Sequence, residues 1–173
     1  MRRPISQSRP FPLVDPMTER VMEFARNDAA AVDDLRLAAM GDGQAQLRLA
    51  QTARQLVLVD EETDVIVCSI EGVCYARLAA AQGIPDALLL LADHCAHLAK
   101  VYYESGADHL ADVWLGQCIG VLELATEVLP ASNAAALMDQ LTVTAHCATA
   151  EIMTEAKYFR DLFAPAFGAE AFA

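Results

Sequence analysis

The chain has 173 residues, enough for one domain of ordinary size with a hydrophobic core. Hydrophobic residues make up 55% of the sequence and aromatic residues only 6%, and the strong helix formers Ala and Leu supply most of the apolar content. Acids outnumber bases 24 to 12, and residues 78–155 contain one base, Lys100, beside ten acids. Because polyanion binding depends on Lys and Arg, this charge excludes nucleic acid as an expected partner.

Membrane and export segments are not expected either. The longest apolar run, Ala87–Ala92, is closed by Asp86 and Asp93 and falls far short of the roughly 20 residues that a membrane span needs. Residues 1–16 are rich in Arg and Pro and lack the hydrophobic region of an export signal. We therefore expect a cytoplasmic protein with no membrane partner, whose cysteines are reduced, buried thiols. The five cysteines are Cys68, Cys74, Cys95, Cys118 and Cys147.

Proline, glycine and capping residues divide the chain into seven predicted helices, and no window shows the period-two alternation of a strand. Asp15-Pro16 opens the first helix, Gly41-Asp42-Gly43 separates the second from the third, and the acids at 60–64 suit the positive N-terminus of the fourth. The predicted ranges are about 15–27, 28–40, 43–59, 60–83, 85–105, 107–129 and 132–163. The expected organisation is a disordered tail over 1–14, one all-helical domain over 15–164 and a loose tail over 165–173.

The later helices differ in how their apolar residues are distributed. The fifth and sixth are amphipathic, and in the sixth Leu110 and Trp114 lie opposite the acids Asp108 and Asp112. The fourth carries apolar residues on nearly all sides, which predicts that it is the central and most buried helix. The acidic faces of helices five to seven are either solvated or recognise a basic partner segment.

Two stretches share the pattern Arg-Leu-Ala-Ala followed by Gly and then by Ala, Leu and Ala. The first consists of Arg36–Ala39, Gly41, Ala45, Leu49 and Ala50, and the second of Arg77–Ala80, Gly83, Ala87, Leu91 and Ala92. The offset of 42 residues from the glycine onward is typical of a two-helix repeat. Chance matches in a chain rich in Ala and Leu are the alternative.

The second stretch resembles the junction between Sel-like repeats, which are relatives of the tetratricopeptide repeat. A further segment is similar to the same junction, with Leu98-Ala99, Tyr102, Gly106, Ala111 and Trp114-Leu115. The resemblance covers at most Leu35–Leu124. It implies stacked antiparallel helix pairs, a short solenoid or a bundle-like stack, that serve as a scaffold for protein segments and have no enzyme activity.

Residues that could carry chemistry do not assemble into a motif. On a helix Cys95 points about 100° away from His94 and about 160° away from His97, so at most the two histidines could share a metal ion. The alternative is a surface His97, a His94 at the edge of the core and buried thiols. Ser69 and Cys74 lie inside a predicted helix, away from any nucleophile turn. We expect no catalytic residue, no metal and no cofactor.

The predicted partner-binding residues are Tyr102, Tyr103, Trp114, Gly116 and Gly120. Aromatic side chains often dominate interface energy, and two glycines four residues apart permit a close helix contact, within the chain or across a homodimer. The predicted function is a non-catalytic helical-repeat scaffold that binds a protein partner or itself. The alternative is a helical sensor or carrier that holds a small hydrophobic ligand in an apolar cavity.

Overall fold

The computed structural model describes residues 29–59, 64–130 and 148–168. This part of the chain contains helices and no strand, so the predicted all-α fold is confirmed. The helices are α1 (Ala29–Ala39), α2 (Gly43–Val59), α3 (Val65–Ala80), α4 (Asp86–Glu104), α5 (Asp108–Val128), α6 (Ala150–Phe163) and a 3-10 helix (Ala164–Phe167). The first predicted helix and the N-terminal tail lie outside the described residues. By its contacts the chain divides into two compact units, residues 1–33 and 34–173.

Three turns between helices have the same backbone conformation. Gly41, Gly83 and Gly106 have φ values of +91°, +75° and +75°, which glycine adopts without the steric cost that a Cβ would bring. In each turn the next residue donates its N–H to the carbonyl five positions back, as in a Schellman motif. The pairs are Asp42 to Leu37 at 3.0 Å, Ile84 to Ala79 at 3.3 Å and Ala107 to Tyr102 at 2.9 Å. The glycines predicted to end these helices therefore do so.

Successive helices pack against each other, α2 on α3, α3 on α4, α4 on α5 and α5 on α6. Helices α2 to α5 alternate in direction, whereas α5 and α6 run parallel, since Gly116 faces Ile152 and Glu155 while Gly120 faces Ala156 and Arg160. The main hydrophobic core lies between α4 and α5 and takes in side chains from α2, α3 and α6. Leu88, Leu91 and Leu98 of α4 have no exposed surface, and each such burial contributes about 1.5–3 kcal/mol. No described helix is long and apolar enough to span a membrane.

Among the described helices α5 is the most enclosed, and α3 keeps an exposed face, so the prediction that the fourth helix is buried on nearly all sides is wrong. All seven residues from Gly116 to Leu122 are buried, because α5 lies between α4 and α6. On α3, Ile70 is 37% exposed and Leu78 is 50% exposed. The predicted apolar face of the sixth helix also needs correction, since Leu110 is 45% exposed.

The C-terminal part of the chain also differs from the prediction. The seventh predicted helix does not run continuously from 132, because Ala148 and Thr149 are not helical and the Thr149 hydroxyl caps α6 by accepting the Ile152 N–H at 3.3 Å. Its predicted end at Phe163 is confirmed. In the tail expected to be loose over 165–173, Pro165 to Phe167 instead complete a 3-10 helix, and Phe167 packs against the main core. Residues 169–173 lie outside the described residues.

Candidate functional site

The three aromatic residues predicted to bind a partner have different surroundings. Tyr102 and Trp114 are half-buried and pack against the main core. The Trp114 ring also lies near the Arg77 guanidinium, with 5.9 Å between Cζ and the ring centroid. Tyr103 is 72% exposed. Of the three, Tyr103 presents the most of its side chain to a partner.

Gly116 and Gly120 form a close helix contact within the chain. A Cβ at Gly116 would lie 2.8 Å from the Ile152 carbonyl oxygen, and one at Gly120 would overlap the Ala156 carbonyl oxygen. Both glycines therefore allow the backbone of α6 to approach α5, and α6 covers them. The spacing of the two glycines was compatible with a helix contact within the chain or across a homodimer, and the structure shows the contact within the chain.

A groove of about 460 Å³ lies beside Tyr103, where α4, α5 and the start of α6 meet. We call it the tyrosine groove. Its residues are Ala96, Ala99, Lys100, Tyr103, Ala111, Asp112, Leu115, Thr149 and Ile152. The small alanines leave room between the helices, and buried Ala111 and Ile152 contribute to an apolar floor. The groove combines apolar surface with one exposed aromatic ring.

The charge at the tyrosine groove is negative. Its one base, Lys100, has its Nζ 3.8 Å from a carboxylate oxygen of Glu104 on the next turn of α4. Asp112 has no ion pair within the part of the chain that the structure describes, and exposed Asp108 lies one turn before it on α5. A basic group on a binding partner would therefore find the Asp112 carboxylate in the groove lining, with Asp108 one turn away on α5.

A larger groove, of about 810 Å³, lies between α3 and the end of α6 with its 3-10 helix. We call it the arginine groove. Its residues are Cys74, Arg77, Leu78, Ala81, Leu162, Phe163, Pro165 and Ala166. Along α3 it continues an exposed stripe formed by Ile70, Cys74 and Leu78, which follow each other at four-residue intervals. The sequence analysis missed this groove, although the apolar residues on all sides of α3 were its signal.

Arg77, the charged side chain in the arginine groove, is held by neutral groups. Its guanidinium carbon lies 4.8 Å from the Phe159 ring centroid and 5.9 Å from that of Trp114, both within cation–π range. Its Nη2 donates to Gln117 Oε1 at 2.7 Å, and Gln117 in turn donates to Glu155 at 3.2 Å. Its Nε is buried and has no hydrogen-bond partner among the described residues.

Three other described arginines are paired with carboxylates. Arg48 pairs with Asp34, Arg54 with Asp93, and Arg160 with both Glu127 and Asp161. Within the described residues Arg77 has no such pair, although acids outnumber bases two to one in this chain. The arginine groove thus holds a guanidinium whose charge no neighbouring carboxylate balances directly.

His94 lies in the core and not at its edge, which corrects the sequence-based expectation. It has no exposed surface, and its ring occupies the space that a Cβ at Gly72 would need. Its Nε2 lies 3.1 Å from the Ala50 carbonyl oxygen and donates to it in the matching tautomer. Burial lowers the pKa of His94, and also that of half-buried His97, because it disfavours the charged ring. No group of three or more metal-ligand side chains is found in the described ranges.

The cysteines fall into two classes. Cys68, Cys95 and Cys118 are buried, and burial raises the pKa of Cys118 to about 12. Cys74 is exposed at the arginine groove, so the expectation that all thiols are buried is wrong for this residue. Cys147 lies outside the described residues.

Comparisons of this chain with protein-family models, curated proteins and solved structures found no match.

Proposed function

We propose that this chain is a non-catalytic helical-repeat scaffold that binds a basic, amphipathic segment of a partner protein in the tyrosine groove. The observation that carries the proposal is the exposed Tyr103 ring beside an apolar groove whose lining includes Asp112, a carboxylate with no ion pair among the described residues. An amphipathic helix can place apolar side chains in such a groove while its basic residues face the rim.

The repeat interpretation is supported by the equivalent turns at Gly41 and Gly83. The same hydrogen bonds follow both glycines, and the residues after them are buried in the same order. These buried pairs are Ala45 with Ala87, Leu49 with Leu91 and Ala50 with Ala92. The 42-residue offset therefore relates positions with the same structural role, as expected for stacked helix pairs.

The negative rim favours a basic partner over an acidic or neutral one. Complementary charge steers association and rejects like-charged partners, while the apolar floor and Tyr103 supply most of the affinity. Lys100 competes little with an incoming base, because its exposed pair with Glu104 contributes about 0.3–0.5 kcal/mol or less.

The test is selection of peptides from a random display library on the purified protein, followed by titration of the selected peptides. Selected sequences should combine Lys or Arg with apolar residues at helical spacing. Tyr103→Ala should weaken their binding about 30-fold, as truncation of an aromatic anchor does, and Asp112→Asn should weaken it less and reduce its salt dependence. The matched control is Tyr158→Ala, another exposed tyrosine (66%) outside the groove, which should change affinity less than twofold.

Three outcomes would overturn the proposal. They are selection of acidic peptides, equal effects of Tyr103→Ala and Tyr158→Ala, and hydrogen-exchange protection that avoids residues 96–103 and 111–115 when peptide is bound. Native mass spectrometry of the protein alone tests whether the chain associates with itself. A homodimer that Tyr103→Ala dissociates would replace the separate partner with a second copy of this chain.

A further inference from the structure

The arginine groove has the composition of a site for a small amphipathic molecule. Ligand pockets usually measure about 300–1,000 Å³, are mostly apolar and contain a few polar groups that orient the ligand. The arginine groove measures about 810 Å³, and its lining is apolar apart from the Cys74 thiol and the Arg77 guanidinium. The Arg77 guanidinium is therefore the charged group that selects for the polar group of a ligand.

The 3-10 helix closes one side of this groove. A Cβ at Gly83 would lie 2.7 Å from the Ala166 carbonyl oxygen, so the 3-10 helix packs directly on the turn between α3 and α4. Pro165 and Ala166 form part of the groove wall there. The surface left for a ligand is the exposed apolar side of Leu78 on α3 and Leu162 on α6, which are 50% and 56% exposed.

The position of Arg77 favours an anion that is itself attached to an apolar chain. Phe159 and Trp114 hold the guanidinium, Gln117 accepts one hydrogen bond from Nη2, and Nε is buried, so the remaining Nη1 and Nη2 hydrogens and the positive charge are left for an incoming group. A carboxylate matches the planar fork of donors and can accept two hydrogen bonds from it. The acidic surface of the chain opposes soluble anions at long range, so the apolar contact must supply the rest of the affinity.

We infer that the arginine groove binds a small hydrophobic carboxylic acid, with its apolar chain between Leu78 and Leu162 and its carboxylate on the Arg77 guanidinium. This site lies on α3 and the end of α6, away from the residues of the tyrosine groove. It is therefore independent of the partner segment proposed above, and either proposal can fail without the other.

The test compares two probes with the same apolar chain, dodecanoate and 1-dodecanol, by titration calorimetry on the full chain. Dodecanoate should bind at least tenfold more tightly, which corresponds to about 1.4 kcal/mol for the charge pair. Arg77→Met should remove this preference while leaving the binding of dodecanol within about threefold, because the variant keeps an apolar side chain of similar length. Thermal unfolding of each variant identifies any that fails to fold.

A second pair of variants localises the site. Leu162→Glu puts a carboxylate in the groove and should weaken the binding of dodecanoate at least tenfold. Leu110→Glu, at a residue of similar exposure (45%) outside the groove, should leave binding unchanged. Because Cys74 lines the groove, bound dodecanoate should also slow its alkylation several-fold in the wild-type protein. Equal affinity for the two probes, no binding below the micelle concentration, or equal effects of Leu162→Glu and Leu110→Glu would each overturn the inference.

Discussion

Replacing Gly120 by Ala tests whether α6 packs against α5 as closely as the structure indicates. In an isolated helix this change is favourable by about 1 kcal/mol, because Ala has the higher helix propensity. Here the new Cβ would lie 2.9 Å from the Ala156 carbonyl carbon, closer still to its oxygen, and 3.1 Å from the Arg160 nitrogen. These are backbone atoms, which cannot rotate away as a side chain can.

The expected loss of stability arises because the new Cβ would push α6 away from α5. Overpacking typically costs about 1–3 kcal/mol, and a gap of about 0.5–1 Å loses a quarter to a half of the dispersion energy of the atoms that line it. The contacts at risk include the buried cluster of Ile119, Ile152 and Ala156. Because the clash is with backbone atoms, the upper end of this cost, about 3 kcal/mol, applies; after the gain of about 1 kcal/mol in helix propensity, we expect Gly120→Ala to lower the free energy of unfolding by about 2 kcal/mol. For a chain of this length, that corresponds to about 4–8 °C in Tm.

The assay is urea unfolding followed by helical circular dichroism, with the midpoint read at an unchanged m-value. Gly116→Ala serves as the graded comparison. Its Cβ would meet the Ile152 oxygen and the Glu155 side chain at 2.8–2.9 Å, so it should destabilise less than Gly120→Ala. An increase in stability of about 1 kcal/mol for Gly120→Ala would refute the reasoning, since helix propensity alone would then describe this position.

Two further predictions concern titratable groups. Because burial lowers the pKa of His94 below its ordinary 6.5, the unfolded chain binds more protons, so the free energy of unfolding should fall as pH drops below about 6.5. Urea midpoints between about pH 7.5 and 5.5 should show this fall, with a smaller slope in His94→Gln; an equal slope in both proteins would contradict it. Among the described cysteines, a thiol reagent should modify Cys74 first under native conditions. Peptide mapping that finds Cys95 or Cys118 modified earlier would contradict their burial.

The candidate sites could be predicted from sequence only in part. Helical periodicity can predict that Tyr103 is exposed and that acidic residues lie near it, because residues on one helix keep fixed angular relations. The arginine groove was not, since it brings Arg77 together with Leu162 and Phe159 from a helix about 80 positions later in the chain. That Arg77 has no carboxylate partner among the described residues also could not be predicted from a sequence with twice as many acids as bases.

The fold shows the same division between local and distant effects. The ends of helices at Gly41, Gly83 and Gly106 depend on a local positive φ, and the sequence by itself determined them. The starts of α3 after the Asp64 cap and of α6 after the Thr149 cap were not predicted. Which helix is most enclosed depends on what packs against it. The apolar residues around α3 predicted a central position, yet its outer face is open, whereas α5 is enclosed because its two glycines allow α6 to approach. Only the tertiary structure decided this, because burial is a property of neighbours that helical periodicity does not specify.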